Sequence, residues 1–337
     1  VDFFKRKRSG IPATPTDIIY PYEAGYSVQK QNLNSDQVSG IDGMVRWNDR
    51  VNDFNYFVGV NLTLARQKTI NNYGEVFLNG WDQYRWAQTN RWSNVKNGAV
   101  WMWETIGVFQ TQEEIDNYPV NIDGANNVNL RPGDLIFKDV NGDGLIDDYD
   151  KRPLGYAATD YDWDSGNANK NPLLSMGINL GFEYKGIDFA ADFAGGFMNT
   201  FIGDWHVKYG IGTDQMGYVY NVIDSWQHED IFDTKSPWKR GKFPAVRSNN
   251  PSIRDWNDFY AKEINYLRLR NLVVGYTLPI KWTKKALIQK LRVYFEGSNL
   301  LCWDSLNDFG FDPEISSVTG FDYPQHKVYT VGVNVTF

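Results

Sequence analysis

No run of about 18 or more apolar residues occurs in this chain, which excludes a transmembrane helix, because a helix needs roughly 20 such residues to cross hydrocarbon. A single cysteine, Cys302, rules out an intramolecular disulfide and says nothing about redox compartment. The three histidines, His206, His228 and His326, lie in separate segments, with neither the context of an activated Ser or Cys nor the spacing of a His/Cys metal site. Carboxylates are plentiful, yet nothing fixes two of them across a cleft as glycoside hydrolysis requires, so the expectation is a protein that is not an enzyme. Positive charge is not in excess either. Lys and Arg number 34 against 41 Asp and Glu, a net charge of -7, which argues against nucleic acid as a general partner. The chain opens Val1-Asp-Phe-Phe, without an initiating Met or a signal peptide.

What the chain has is alternation. In the closing segment Tyr329, Val331, Val333, Val335 and Phe337 share one face of a strand, and Val328, Thr330, Gly332, Asn334 and Thr336 share the other. One greasy and one small or polar face suits a wall with lipid on one side and water on the other. The pattern recurs at membrane-spanning length, about 9 to 11 residues. Leu174, Met176, Ile178, Leu180, Phe182 and Tyr184 alternate with Ser175, Gly177, Asn179, Gly181 and Glu183. After Lys185-Gly186, Ile187, Phe189, Ala191, Phe193 and Phe197 continue the row, and Phe54 to Leu64, Leu272 to Leu278 and Leu291 to Phe295 repeat it. A soluble β-sandwich also alternates, so the connections must discriminate.

Strands are predicted at about 40 to 48, 54 to 66, 173 to 184, 187 to 198, 264 to 278, 291 to 301 and 327 to 337, with a remnant at Val1 to Arg8. The links between them alternate: Ser9 to Ser39, Gln67 to Pro172, Asn199 to Glu263 and Trp303 to Gln325 are long, whereas Asn48 to Asp53, Lys185-Gly186 and Pro279 to Lys290 are short. Short turns at one rim and long loops at the other mark an outer-membrane barrel, and a sandwich has no reason to sort loop length by parity. The predicted fold is therefore all-β, a transmembrane antiparallel β-barrel wall with long extracellular loops. The basic run Lys5-Arg-Lys-Arg8 fits a strand leaving the membrane with its charges just past the apolar band, and equally a solvated charge run.

The longest loop, 67 to 172, carries Asp139-Val-Asn-Gly-Asp-Gly-Leu-Ile-Asp-Asp-Tyr-Asp150. Asp139, Asn141, Asp143, Asp147 and Asp150 stand at loop positions 1, 3, 5, 9 and 12, Gly144 allows the sharp turn at position 6, and the carbonyl of Leu145 serves position 7. Hard oxygens in that order suit calcium, in a structural role. Asp150 is shorter than the usual bidentate Glu, and the competing reading is a turn held by its own side-chain hydrogen bonds. Aromatic residues make up 16% of the chain. Trp81, Tyr84, Trp86, Trp92, Trp101 and Trp103 crowd the same loop, and Trp205, Trp226, Trp238 and Trp256 the next. Such faces stack on sugar rings, which makes an oligosaccharide the first choice of ligand, but Trp and Tyr also pack loop against loop or against a partner protein.

The stretch Pro132-Gly-Asp-Leu-Ile-Phe-Lys-Asp-Val-Asn-Gly-Asp-Gly-Leu-Ile-Asp-Asp-Tyr-Asp150, followed by Leu154-Gly155, resembles a signature of SusC-like TonB-dependent transporters of Bacteroidetes. Gly107 to Ile115, Tyr184 to Phe189, Tyr266 to Pro279, Asn299-Leu300, Asp312-Pro-Glu314 and the closing strand add to it in the family's order. The resemblance implies the carboxy-terminal portion, across 1 to 337, of a barrel of about 22 strands. It further implies an outer-membrane importer of oligosaccharides or peptides in a Gram-negative bacterium, energised through TonB and closed by a SusD-like surface lipoprotein. The family's plug domain and TonB box have no counterpart in these residues. The rival from another class is a secreted or surface β-rich glycan-binding or adhesion module with a calcium-stabilised loop, whose outward strand faces should be polar.

Overall fold

The computed structural model describes residues 1 to 15, 21, 23, 25, 28 to 71, 73, 79 to 81, 83, 84, 99 to 156, 172 to 202, 224 to 247, 250 to 253, 257 to 306, 312 to 314 and 325 to 337. Its strands, in chain order, are β1 Asp2–Ala13, β2 Gln31–Val51, β3 Phe54–Asn71, β4 Ala99–Met102, β5 Thr105–Val108, β6 Leu135–Phe137, β7 Arg152–Tyr156, β8 Leu174–Tyr184, β9 Ile187–Ile202, β10 Gln227–His228, β11 Trp238–Lys239, β12 Ala261–Thr277, β13 Lys290–Asp304 and β14 Val328–Thr336. Eight of them form one antiparallel sheet in the order β1-β2-β3-β8-β9-β12-β13-β14. Each strand of this sheet neighbours the next one in sequence, the meander of an up-and-down barrel wall.

The eight predicted strands are all present, and several are longer than their apolar alternation. β2 runs to 21 residues and β3 to 18, against the 9 to 11 or so that span a bilayer. The apolar row stops where hydrocarbon would stop, but the hydrogen-bonded ladder continues through polar residues such as Gln31 to Ser39 and Arg66 to Asn71. Alternation reports the buried or lipid-facing length, and backbone pairing does not depend on it.

Turn chemistry fixes the register. Lys185 and Gly186 both take positive φ, 46° and 88°, the combination a two-residue hairpin turn needs to match the strand twist. Asn52 at φ 55° closes β2 onto β3 in the same tight fashion. The third short link, from Pro279, holds a one-turn helix at Ile280–Thr283. All three lie at one rim, and the four long connections lie at the other.

Register places whole rows on one face. Val58, Leu180 and Ala191 stand opposite one another across β3, β8 and β9, as do Val60, Ile178 and Phe193. Phe54, Phe182 and Phe189 stack in sequence, with ring centroids 5.4 and 5.2 Å apart. Among the described residues much of this face lies open: Val58, Val274, Val293, Val331 and Val333 are 40% to 76% exposed. The opposite face carries Asn179 donating to Asp192, Arg292 paired with Asp188, and Thr63 donating to Asp42. The basic run divides by this alternation. Lys5 and Lys7 fall on the apolar row's side, whereas Arg8 turns to the polar face and pairs with the buried Asp36.

The hydrophobic core lies in the loops. Trp103, Phe109, Ile115, Ile122, Leu130, Leu135, Phe137 and Ile146 from the 72 to 173 connection pack with Phe243 and Tyr260 from the 203 to 260 connection, with Leu306, and with Ile264 at the loop end of β12. Small pairings brace it, β5 with β6 and β4 with β7. A soluble domain buries its sheet and exposes its loops. This chain does the reverse, which excludes the secreted module with polar outward strand faces.

Candidate functional site

Loop 139 to 150 folds through Asx turns. Asp139 accepts from the amides of Gly142 at 2.7 Å and Gly144 at 2.8 Å, and the two glycines take φ of 77° and 81°, a region other side chains rarely adopt. Asp143 accepts from the Leu145 amide and from Asn141 Nδ2, each at 2.8 Å. Asp150, fully buried, folds back over the start of the loop, accepting from the amides of Val140 and Asp147 at 2.8 and 2.9 Å. Asp147 caps the short helical turn 148 to 150 by accepting from the Tyr149 amide. The carboxylates are thus held mainly by backbone amides. Among the described residues no group of three or more His, Cys, Asp or Glu side chains is gathered closely enough to hold a metal ion. Each carboxylate oxygen keeps a second lone pair, and the donor order of Asp139, Asn141, Asp143, Leu145, Asp147 and Asp150 is preserved along the loop.

The same loop supports an aromatic shelf. Trp81 stacks on Tyr84 at 5.4 Å between centroids and lies 5.4 Å from Tyr149, a residue of the acidic loop itself. Trp101 meets both Trp81 and Tyr84 edge-on. Tyr84 and Tyr149 are the open members, at 42% and 47% exposure, while Trp101 is buried. Trp103 is buried as well. Its indole N–H donates to the Asp147 carbonyl at 2.8 Å and its ring packs on Phe137, so it ties the acidic loop to the core and leaves no face for a ligand. Of the aromatics singled out in the sequence, Trp81, Tyr84 and Trp101 come together here; Trp86, Trp92, Trp205 and Trp256 lie outside the described residues. Trp226 is buried, packed against Gly133 so closely that a Cβ there would stand 2.4 Å from its ring.

Two ionic features went unmarked in the sequence. Asp134, fully buried beside the signature's Gly133, receives both Nη groups of Arg247 and the amide of Arg131, which joins the second long loop to the third. Burial pushes the Asp134 carboxyl above its ordinary range despite the opposing pull of Arg247. Ser252 sits beside it, donating toward Asp134 while accepting from the Leu135 amide. On β12, the polar-face Arg268 binds both oxygens of Asp312 at 2.7 and 2.6 Å, and Arg270 binds Glu314 at 2.6 Å. The last long loop is thereby strapped to the inner wall. The Asp312-Pro-Glu314 motif and the alternation of Arg268 and Arg270 were visible, but their pairing across 44 residues has no local signal.

Comparison with known proteins agrees with this geometry. The chain is 25% identical over 344 aligned residues to TonB-dependent receptor P3 of Formosa agariphila, covering 94% of this chain and 30% of that protein. It is 24% identical to TonB-dependent receptor P26 of the same organism, covering 95% of this chain and 31% of that one. The chain therefore spans about a third of the length of the curated relatives it matches. Among solved structures it superposes on the RagAB peptide transporter with a TM-score of 0.61 at 20% identity, covering 99% of this chain and 33% of that one. The RagAB peptide importer in its open-open state gives 0.62. No protein-family model matches the chain. The resemblance to TonB-dependent transporters read from the sequence is borne out, and the all-β barrel-wall fold with it.

Proposed function

We propose that this chain is the carboxy-terminal part of the barrel of a SusC-like, TonB-energised importer in the outer membrane of a Gram-negative bacterium, working beneath a SusD-like lid lipoprotein. The observation that carries the reading is the inverted burial: a continuous exposed apolar sheet face below a loop assembly with its own core. Lipid is the solvent that makes such a face stable, and the relatives named TonB-dependent receptors supply the transport class. The chain does no covalent chemistry in this account. Its loops capture ligand and its wall encloses the path.

The cargo class we favour is an oligosaccharide. Tyr84 and Tyr149 present open ring faces braced by Trp81 and Trp101, a rigid platform for sugar rings. A peptide cargo is the second reading, favoured by the likeness in fold to RagAB, which is described as a peptide importer. Calcium in the loop 139 to 150 belongs to the same proposal. Its support is the donor order, the two positive-φ glycines and the closure of the loop by Asp150, and its role would be to stiffen the floor under the aromatic shelf. Calorimetric titration of the native transporter with neutral oligosaccharides and with oligopeptides tests the cargo. Saccharide binding that is lost in Tyr84→Ala with Tyr149→Ala supports the first reading. Peptide binding that is unchanged in that variant, with no saccharide binding, refutes it.

A further inference from the structure

The sheet's apolar face has a charged border at one rim. Phe3 on β1, Ile41 on β2, Leu64 on β3 and Leu174 on β8 stand opposite one another and form the last apolar row before the long-loop end. Two residues further along the same face the row reads Lys5, Ser39, Arg66, and two residues beyond that Lys7 and Gln37 follow. Lys5, Lys7 and Arg66 are all exposed. The acids of this region face the other way: Asp36 holds Arg8, and Asp42 accepts from Thr63. Beyond the Phe3 row, no Asp or Glu occupies the outward face of β1, β2 or β3 among the described residues. Lys5 and Lys7 make no ion pair with any described residue.

On β2 itself the two ends differ: at the short-turn rim its outward position is Asp49, which accepts from the Tyr56 hydroxyl. Strands lie about 4.8 Å apart and rise about 3.3 Å per residue, which puts the Lys5, Lys7 and Arg66 side chains within roughly 7 to 12 Å of one another at their roots. Long flexible stems of that spacing can converge on a single phosphate or straddle two. The cations stand about 7 Å beyond the apolar row, the depth of a headgroup whose acyl chains lie along Phe3, Ile41 and Leu64.

We infer that Lys5, Lys7 and Arg66 form a docking site for the phosphorylated headgroup of a lipid in the outer leaflet. The inference rests on the barrel reading above. Continuity of the cationic patch with the lipid-facing band selects an amphiphile over a soluble anion, and the absence of neighbouring outward carboxylates selects an anionic headgroup over a zwitterionic one.

The test uses the native full-length membrane protein, purified in neutral detergent and reconstituted into phosphatidylcholine nanodiscs doped with either lipid A, a glycolipid carrying phosphates on a glucosamine disaccharide, or its dephosphorylated form. Native mass spectrometry counts the lipids retained. Wild type should retain the phosphorylated lipid several-fold over the dephosphorylated one. The triple variant K5Q/K7Q/R66Q should show near parity, R66K should behave as wild type, and D49N at the opposite rim should change nothing. Retention by the triple variant equal to wild type would overturn the site. So would complete displacement of the lipid by saturating inorganic phosphate, which would mean a soluble-anion site. Failure of the barrel reading looks different: wild type would not insert into nanodiscs at all, and would wash free of its native membrane in carbonate.

Discussion

Leu180 and Asn179 are adjacent in sequence and face opposite sides of the wall, so an Arg placed at each in turn separates lipid from lumen with a single step along the chain. Leu180 stands between Val58 and Ala191 near the middle of the apolar row, where Val58 is 42% exposed. An arginine at such a depth costs about 2 to 4 kcal/mol. At about 1.4 kcal/mol per tenfold, this is a loss of roughly 30- to 1000-fold in the folded-to-unfolded ratio, enough to collapse assembly yield in a protein of ordinary stability. At Asn179 the same side chain enters the polar face opposite Gly59, with Asp192 2.7 Å from the amide it replaces. It exchanges one hydrogen bond for an ion pair with Asp192, a change within about 1 kcal/mol. The assay is the yield of heat-modifiable, detergent-extracted protein from outer membranes. Leu180→Arg should fall to near zero while Asn179→Arg stays near wild type. Equal yields, in either direction, would refute the assigned faces.

Removing the buried carboxylate in Asp134→Ala strands Arg247 at the junction of two loops; breaking a buried pair costs about 3 to 5 kcal/mol, and because Arg247 is 24% exposed the lower end applies, read as faster amide exchange at Leu135 to Phe137 with unchanged exchange in β8. Limited proteolysis with and without chelator checks the calcium proposal: chelation or Asp143→Ala should open cleavage within 139 to 150, restored at about 0.1 to 1 mM calcium, and identical patterns in both conditions would leave only the hydrogen-bonded turn. Burial raises the Asp123 carboxyl, but the amides of Asn129, Ala125 and Asn127 outweigh it and hold it below its ordinary value of 3.8. A carboxyl so lowered stabilises the turn fully above that value and ceases to do so as pH falls through the lower folded-state pKa, so exchange at Asn127 and Asn129 should rise only on acidification below pH 3.8, and an unchanged rate there would contradict the assignment.

The wall was legible because lipid and water impose a period of two on the side chains, and seven of the eight strands carry that signature, whereas β1, whose outward row runs Phe3, Lys5, Lys7, does not. Strand ends were less so. The ladders of β2 and β3 run past the last apolar residue, and pairing between polar residues leaves no hydrophobic trace. The acidic loop was visible as spacing, but whether its carboxylates turn to their own amides or to an ion depends on geometry that spacing does not encode. Among the aromatics, composition could not separate Trp103, which is a core residue, from Tyr84, which is open, because both lie in the same tract and burial is set by what folds over them. Tyr149 passed unnoticed as part of the shelf, since it reads first as a member of the acidic loop. The Asp134 to Arg247 and Arg268 to Asp312 pairs join distant loops, and no periodicity announces them.

The central claim is that one face of this sheet meets hydrocarbon. The most direct measurement is spin-label accessibility along β8, with single cysteines placed from residue 174 to 184 in a Cys302→Ser background of the native transporter in bilayers. Collision rates with molecular oxygen, which partitions into lipid, and with a water-soluble nickel chelate should oscillate with a period of two and in opposite phase. Leu174, Met176, Ile178, Leu180, Phe182 and Tyr184 should be oxygen-accessible, and Ser175, Gly177, Asn179, Gly181 and Glu183 chelate-accessible. Chelate access on both faces, or a flat profile in both reagents, would contradict the account.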